Sequence, residues 1–314
     1  MMSLRRRLVS VALTVFAASV VIFVALEIAP GDVARFMMGV EADPAAVEAL
    51  RQELGLGGHP VARYFKWIGA LLLGDFGTSY TYRVPVAQLL VERMSVSLPL
   101  AVGAFLLSLS VAVLGALASV HLKERAVSKL ISGAATLGIA IPNFWLAMML
   151  VLLLSVTLSL FPAGGFPGWH SPGAALGALV LPVVALGLPQ GAIMLRLLRA
   201  SLLDVESQDF MRTARAKGLS RWQTLVRHGL PNAFVPLLPI LGLQLAFLVA
   251  GAVIVETVFY LPGLGRLVLQ AVTQRDLITV KAVVMVLVLC VVLISFAVDI
   301  LAAWLDPRFQ AKAQ

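Results

Sequence analysis

The chain has 314 residues, of which 60% are hydrophobic and only 13% are charged, and its mean hydropathy is +0.97. A soluble domain carries about 25% charged residues, so this composition excludes a soluble protein and indicates a polytopic helical membrane protein. The net charge of +8 does not indicate a nucleic-acid partner, because basic residues in such a chain usually mark the cytoplasmic side. The single cysteine, Cys290, lies in an apolar run, which excludes an internal disulfide and is typical of a packed, inert thiol.

Six apolar segments are long enough to cross a bilayer as helices. They cover residues 8–28, 97–120, 131–160, 175–198, 237–260 and 281–304. The first follows three arginines, but its apolar core exceeds the ~7–15 residues of a signal peptide, so we interpret it as an uncleaved span. The predicted organisation is a cytoplasmic N-terminus (1–7), a first transmembrane helix (8–28), an extracytoplasmic loop with short helices (29–96), a core of five transmembrane helices (97–304) containing a cytoplasmic loop (199–236), and a cytoplasmic tail (305–314).

The distribution of lysine and arginine predicts the orientation. With the N-terminus inside, the inner segments hold fifteen of the 24 basic residues, although the outer segments are longer in total. These fifteen are Arg5, Arg6, Arg7, Lys123, Arg125, Lys129, Arg196, Arg199, Arg212, Arg215, Lys217, Arg221, Arg227, Arg308 and Lys312. Because basic residues are enriched in cytoplasmic loops, we expect both termini of this multi-pass membrane protein to be cytoplasmic.

The extracytoplasmic loop begins with a turn signal, Pro30-Gly31-Asp32, and then contains a predicted short helix over Pro44–Leu54. Asp43 is a suitable N-cap with proline at the first helical position, and Gly55 is expected to end the helix.

A second predicted helix, Pro60–Leu73, is amphipathic, with Tyr64, Trp67 and Leu71 at helical spacing, and Gly74-Asp75-Phe76-Gly77 ends it. Tyrosine and tryptophan favour the membrane–water boundary, so we expect this helix to lie in the interface. The outer loop is either a small lid on the outer face or a surface linker.

The cytoplasmic stretch 204–236 is polar and basic within an otherwise apolar sequence. The overlapping segment from Arg196 to Arg227 has seven basic and three acidic residues. Gly218 is placed to end one helix in the left-handed conformation, and Ser220 with Gln223 forms a capping box for a second helix.

The two predicted helices carry apolar stripes. Phe210 and Ala214 share the first, which leads to Gly218, and Trp222, Leu225, Val226 and Gly229 share the second. The small residues Ala214 and Gly218 leave room for another protein to approach. Such a helix–turn–helix fits a docking surface or an amphipathic segment on the inner leaflet, and the residues alone leave both open.

This loop resembles the cytoplasmic signature of permease subunits of bacterial binding-protein-dependent ABC importers. That signature is Glu-Ala-Ala, three residues, Gly, nine residues, Ile-x-Leu-Pro. Aligned on Gly218, the matching positions are Ala214, Gly218, Leu230 and Pro231. Arg212 stands where the signature has Glu, so the polarity of a contact there is not set by the resemblance.

Other segments are similar to the dipeptide/oligopeptide branch of these permeases over essentially the whole chain. They are Ala29–Asp32, Gly74–Ser79, Ile141–Trp145, Asp209–Leu219, Val255–Phe259, Leu261–Gly265 and Leu305–Arg308. The chain is therefore identified as similar to the first permease subunit of such a system, with six transmembrane helices in the type I ABC importer fold.

The resemblance implies four kinds of partner: a homologous second permease, two ATP-binding subunits that bring ATP and Mg, an extracytoplasmic substrate-binding protein, and membrane lipid. It also implies that one helix of the loop lies in a groove of an ATPase. The ATPase-coupling residues expected on this basis are Asp209, Phe210, Arg212, Thr213, Ala214, Arg215, Lys217, Gly218, Leu219, Leu230 and Pro231. The chain itself is expected to be neither an enzyme nor a cofactor carrier.

The residues also limit the alternatives. The sequence has no Gly-x4-Gly-Lys-Ser/Thr phosphate loop, and its four histidines lack ligand spacing. Ionisable residues within spans are few, which disfavours an ion-coupled secondary transporter or a channel, and no Ser/His or Asp pair supports an intramembrane enzyme. Glu256 and Asp299 are weak candidates for substrate contact, although pairing within the bundle is the preferred interpretation for each. The segment Gly138–Pro142 is expected to kink the third span.

The substrate is the least determined feature. Peptide is the first expectation, and nickel, glutathione and oligosaccharide-like solutes are alternatives within the same importer class. Nothing in the spans distinguishes them, because the binding protein largely makes the selection.

Overall fold

The structure is a computed structural model, and it describes residues 4–28, 33–39, 42–53, 55, 57–122 and 125–305. Every regular secondary-structure element assigned within these residues is a helix, so the all-α prediction is confirmed. The α-helices of the described residues are α1 (Leu4–Ile28), α2 (Val33–Met38), α3 (Pro44–Glu53), α4 (Pro60–Leu72), α5 (Val86–His121), α6 (Ala126–Ala140), α7 (Asn143–Leu150), α8 (Pro172–Glu206), α9 (Asp209–Ala216), α10 (Arg221–Thr224), α11 (Leu230–Phe234), α12 (Leu238–Val258), α13 (Leu264–Thr273) and α14 (Leu277–Leu305).

Five continuous helical stretches in the described residues are long and apolar enough to cross a membrane. They are Arg7–Ile28, Val86–His121, Pro172–Glu206, Arg221–Val258 and Leu277–Ile300. The pair α6 and α7, the latter continued by a π-helix over Val151–Thr157, supplies a sixth when it is taken as one bent span.

Contacts along α5 and α8 establish how this bent pair runs. A Cβ on Gly103 of α5 would meet Val183 of α8, and a Cβ on Gly115 would meet Leu195. Residues later in α5 therefore contact residues later in α8, so the two helices are parallel. A Cβ on Gly187 of α8, which would meet Ala104 of α5, agrees with this direction. The pair between them must therefore return across the bundle. At its start the Ser128 hydroxyl donates to the Ser119 carbonyl (2.8 Å), and beyond its end the Gly165 N–H donates to the Phe259 carbonyl (2.8 Å) at the far end of the bundle. This supports six crossings.

The bend in the third span is sharper than the predicted kink. The axes of α6 and α7 differ by 102°. Pro142 disfavours a helical conformation at the preceding residue, and Ile141 is extended at φ −82° and ψ 121°. The predicted position is correct, and the kink is a break between two helices.

The second span also differs from its prediction. The helix begins at Val86 and not at residue 97, so it has 36 residues and a length of about 54 Å. This exceeds the ~30 Å of hydrocarbon, and the additional turns carry polar residues such as Gln88 and Glu92, whose side chains hydrogen-bond at 3.0 Å. Hydropathy locates the membrane part of this helix and misses the part outside it.

The beginning of α1 and the last part of α14 lie at the same end of the bundle. A guanidinium nitrogen of Arg7 donates to the Asp299 carbonyl (2.6 Å), and α14 packs beside Gly242 near the start of α12 through Ser295. Val120 and Glu206, which adjoin the segments predicted to be cytoplasmic, also lie at this end. We therefore call it the inner end. The opposite end is the outer end.

The outer helices agree closely with the predictions. α3 begins after Asp43, whose carboxylate accepts from the Ala45 N–H (3.2 Å), and Gly55 follows with a φ of +66°. The predicted last residue of this helix, Leu54, and the predicted turn at Pro30-Gly31-Asp32 lie outside the described residues.

α4 is amphipathic, as predicted, and it packs on α1. The rings of Tyr64 and Trp67 lie 5.4 and 6.1 Å from the ring of Phe23, measured between centroids. Its other face leaves Phe65 and Leu72 exposed. This two-sided helix fits the expected position at the membrane–water boundary.

Candidate functional site

The turn predicted at Gly218 is present. α9 ends at Ala216, and Gly218 has a φ of +93°, a conformation that residues with a Cβ rarely adopt. The Gly218 N–H donates to the Arg215 carbonyl (2.9 Å) and the Leu219 N–H to the Ala214 carbonyl (3.4 Å), so the turn uses carbonyls that the helix end leaves free.

The predicted capping box is present after the turn. The Ser220 hydroxyl accepts from the Gln223 N–H (3.2 Å), and the Gln223 side chain accepts from the Ser220 N–H (3.0 Å). Helical structure then continues from Arg221 to Val258 through a π-helix at Leu225–Gly229 and a 3₁₀ turn at Val235–Leu237.

The predicted loop 199–236 is therefore shorter than expected. α8 extends to Glu206 and the next helix begins at Arg221, so α9 and the two connections beside it are all that separate these helices. The reason is that charged residues interrupt the hydropathy pattern without interrupting the helix.

The buried face of α9 differs from the predicted stripe. Met211 is fully buried, and Gly229 leaves room for its methyl group, since a Cβ there would lie 3.2 Å from Met211 Cε. Ala214 is also buried against its own chain. The prediction that it leaves room for another protein is therefore wrong. Phe210, expected on the same stripe, is 39% exposed. Gly218 is open, because a Cβ there would meet nothing within 4 Å.

A buried carboxylate joins the two sides of the loop. Glu206, the last residue of α8, has a side chain only 6% exposed, and one of its oxygens accepts from Arg215 (3.3 Å) and from Arg221 Nε (3.1 Å). Arg221 also donates to the Val120 carbonyl near the end of α5 (2.8 Å). We call Glu206, Arg215 and Arg221 the loop latch. It fixes α9 and α10 to the inner ends of α5 and α8.

From the sequence, Glu206 and Arg221 counted only as loop charges and Arg215 as an expected ATPase-coupling residue, and the pairing of the three was not predicted. One signal was available: a carboxylate at the C-terminal end of a helix is unfavourable next to the negative end of the helix dipole, so Glu206 requires cationic partners. The identity of those partners, and the Val120 carbonyl 101 residues away from Arg221, follow from the fold alone.

The other predicted coupling residues divide into exposed and packed groups. Arg212, Thr213 and Lys217 are exposed, and the Arg212–Asp209 pair (3.5 Å) is held loosely by two side chains that are 76% and 96% exposed. Leu219 is half-buried. We call the exposed set the α9 surface; it comprises Asp209, Phe210, Arg212, Thr213, Lys217 and Gly218.

Leu230 and Pro231 lie in α11, away from the turn. Leu230 packs on the inner cluster that contains Met211 and Leu225, and Pro231 is exposed. The Ala233 carbonyl nearby accepts from the Ser201 hydroxyl of α8 (2.9 Å). These contacts hold the start of the fifth span against α8, so Leu230 has an internal packing role.

Glu256 pairs within the bundle, as preferred. It is fully buried; one carboxylate oxygen accepts from the Ser97 hydroxyl (2.5 Å) and the other from the Arg266 N–H (3.1 Å) at the start of α13. The same Ser97 oxygen accepts from the Leu264 N–H (2.8 Å). Glu256 is thus an acceptor for helix N–H groups, which argues against its weaker candidacy as a substrate contact.

Asp299 lies at the opposite end of the bundle, with an exposed side chain and its carbonyl bound by Arg7. The two candidate acids are therefore not brought together into one site.

Comparison with known proteins agrees with the resemblance. Residues 104–311 match the family described as "Binding-protein-dependent transport system inner membrane component", and residues 1–101 match the N-terminal part described for the same systems. The chain is 37% identical over 291 residues to a Brucella abortus protein that carries the name of a peptide transport system permease, covering 92% of this chain and 93% of the relative. It is 36% identical over 307 residues to the glutathione transport system permease protein GsiC of Escherichia coli, covering 98% of each chain.

Proposed function

This chain belongs to the family of inner membrane components of binding-protein-dependent transport systems, and we propose that it is the first permease subunit of an ATP-driven importer of dipeptides or oligopeptides. Membership makes it a multi-pass transport component and not an enzyme. The peptide substrate is supported by the name of the Brucella relative. A bacterial inner membrane location is supported by the family description and by the basic inner loops.

The α9 surface is the main support for a role in coupling this chain to an ATP-binding subunit. It is exposed on a short helix at the inner end, while the latch and Met211 fix the opposite side of that helix. An amphipathic helix held in this way suits a groove on a partner, and its exposed basic groups suit an acidic rim. We assign the partner as one of two ATP-binding subunits, which supply ATP and Mg.

The remaining partners are a homologous second permease, which completes the translocation pathway, and an extracytoplasmic substrate-binding protein. ATP-driven closure of the ATPases would move α9, and the latch would pass that movement to α5 and α8 as rigid bodies. This chain therefore contributes the transmission element and part of the pathway, and hydrolysis takes place on the partners.

Glutathione is the second candidate substrate, because GsiC carries that name over a match of the same extent. Nickel and oligosaccharide-like solutes are weaker candidate substrates. Calorimetric titration of the purified binding protein with a peptide series, glutathione and nickel separates these choices. We expect a peptide to bind most tightly.

Co-purification tests the importer assignment. The tagged chain, expressed with its genomic neighbours and purified in detergent, is expected to retain a second permease and an ATPase. Reconstituted with its binding protein, the complex is expected to take up substrate only when ATP is supplied. Uptake by this chain alone without ATP would establish a secondary transporter or channel and refute the proposal.

Substitution of Gly218 tests the turn. Gly218→Val is expected to insert normally and to lose ATPase stimulation, because a β-branched residue at positive φ costs about 1–2 kcal/mol and resists the turn. Gly218→Asn is the matched control, since asparagine tolerates this conformation and should retain most of the activity. The measurement is ATP hydrolysis by the reconstituted complex. Wild-type stimulation of ATP hydrolysis in Gly218→Val would contradict the turn-and-docking hypothesis.

A further inference from the structure

A cavity of about 250 Å³ lies at the outer end, between α1, α4 and α14. Its lining includes three cations, Arg63, Lys66 and Lys281, and two acids, Glu27 and Asp75. Neither the family description nor the coupling role accounts for this cluster.

The donors in the cavity exceed the acceptors. Arg63 pairs with Glu27, but its Nε is buried without a hydrogen-bond partner among the described residues. Asp75 is engaged by the Gly77 N–H (2.8 Å). The Lys281 ammonium lies 5.6 and 5.8 Å from the ring centroids of Phe23 and Trp67, and within the part of the chain that the structure describes it has no carboxylate at ion-pair distance.

Tyr80 adds a further polar group to the lining. Its burial and the nearby Asp276 carboxylate raise the pKa of Tyr80 to about 12, so the hydroxyl stays protonated at physiological pH. The cavity thus presents three cations against two carboxylates that are already engaged, and an anion is the chemistry that completes it.

The cavity lies beside the ends of two candidate spans, where the headgroup of a neighbouring lipid is expected. Lys281 is in the first turns of the last span, and Glu27 is next to the last residue of the first span. Beside it, α4 exposes Phe65 and Leu72, and α1 exposes Val24. A ligand in this position therefore meets charge at one end and apolar side chains along the bilayer at the other.

We propose that this cavity binds the phosphodiester headgroup of an anionic phospholipid in the outer leaflet of the membrane. Lys281 and Lys66 donate to the phosphate oxygens, and Arg63 donates through Nε while it remains paired with Glu27. Phe23 and Trp67 flank the headgroup, and the acyl chains follow the exposed faces of α1 and α4. The bound lipid would join the outer helices to the last span.

Native mass spectrometry of the purified full-length chain tests this site. Titration with phosphatidylglycerol and with phosphatidylcholine of the same acyl chains is expected to show preferential binding of phosphatidylglycerol. Lys281→Gln is expected to weaken phosphatidylglycerol binding about tenfold, as for one charged hydrogen bond, and to leave phosphatidylcholine unchanged. Arg35→Gln removes one positive charge from an exposed residue outside the cavity and is expected to leave both affinities unchanged.

Lys66→Gln provides a second variant if Lys281→Gln does not fold, because Lys66 is exposed. A loss of about threefold is expected there. Equal affinity for the two lipids, or wild-type affinity in both lysine variants, would overturn the proposal. Inorganic phosphate that binds and is not displaced by phosphatidylglycerol would overturn it in favour of a free-anion site. A carbodiimide cross-link from Lys281 to another subunit would overturn it in favour of a protein interface.

Discussion

A Glu206→Ala variant is expected to insert normally and to lose most of its ATP-dependent uptake. The substitution removes the acceptor that Arg215 and Arg221 share and leaves both guanidinium groups without their buried partner. Breaking a fully buried pair costs about 3–5 kcal/mol, but these two arginines are 41% and 28% exposed and regain some hydration. We therefore expect a local loss of about 2 kcal/mol, which shifts an equilibrium roughly thirtyfold.

The location of this loss determines the phenotype. The latch contacts the ends of α5 and α8 through polar groups, and Glu206→Ala leaves the apolar side chains of the inner cluster in place, so the bundle should keep most of its stability while α9 loses its fixed position. Substrate-stimulated ATP hydrolysis is expected to fall at least about fivefold, with basal hydrolysis by the ATPase unchanged. The measurement is hydrolysis by the reconstituted complex with and without loaded binding protein.

Two further variants make the test specific. Arg221→Lys keeps the charge but cannot bridge Glu206 and the Val120 carbonyl with one planar group, so it should show an intermediate loss. Glu48→Gln removes an exposed pair with Arg51 (3.6 Å) on the outer side and should behave as wild type. Normal coupling in Glu206→Ala would show that α9 keeps its position without the latch.

The parts of this fold that could be predicted are those set by local chemistry. The Gly218 turn, the Ser220–Gln223 capping box and the Asp43 cap depend on residues within a few positions of each other, and each was placed correctly. The spans were also found, since about 20 apolar residues have few other stable environments.

The parts that could not be predicted depend on contacts between distant residues or on angles. The 102° bend at Pro142 is one such case: a proline indicates an interruption, and the packing of the two helices fixes its angle. The partners of Glu206, Glu256 and Asp276 are others. Asp276 accepts from Ser79 at a separation of 197 residues, and no periodicity in the sequence connects these two positions.

A Glu256→Ala variant is expected to lower thermal stability without changing substrate selection. The carboxylate accepts from Ser97 and from the Arg266 N–H, in a position with no exposure. Its removal leaves two part-buried donors without a partner, at about 1–3 kcal/mol each. The expected total is roughly 2–6 kcal/mol, enough to lower Tm by roughly 3–10 °C in detergent.

Gly263→Ala offers a matched variant that keeps the charge. A Cβ at Gly263 would lie 2.2 Å from the Glu256 carboxyl carbon, so it must displace the carboxylate from the start of α13. The two variants should therefore lower Tm to a similar extent, whereas Glu92→Gln, at an exposed residue of α5, should leave it unchanged. The measurements are Tm of the purified complex and the relative uptake of different peptides by the reconstituted complex.

The two interpretations of Glu256 predict opposite results. If the residue holds α13 to α5, both Glu256→Ala and Gly263→Ala lower Tm, and the relative uptake of different peptides stays the same. If it contacts substrate, Glu256→Ala changes that relative uptake while Tm is preserved. The buried position, the hydrogen bonds to Ser97 and Arg266, and the space that Gly263 leaves for the carboxylate all require the first result.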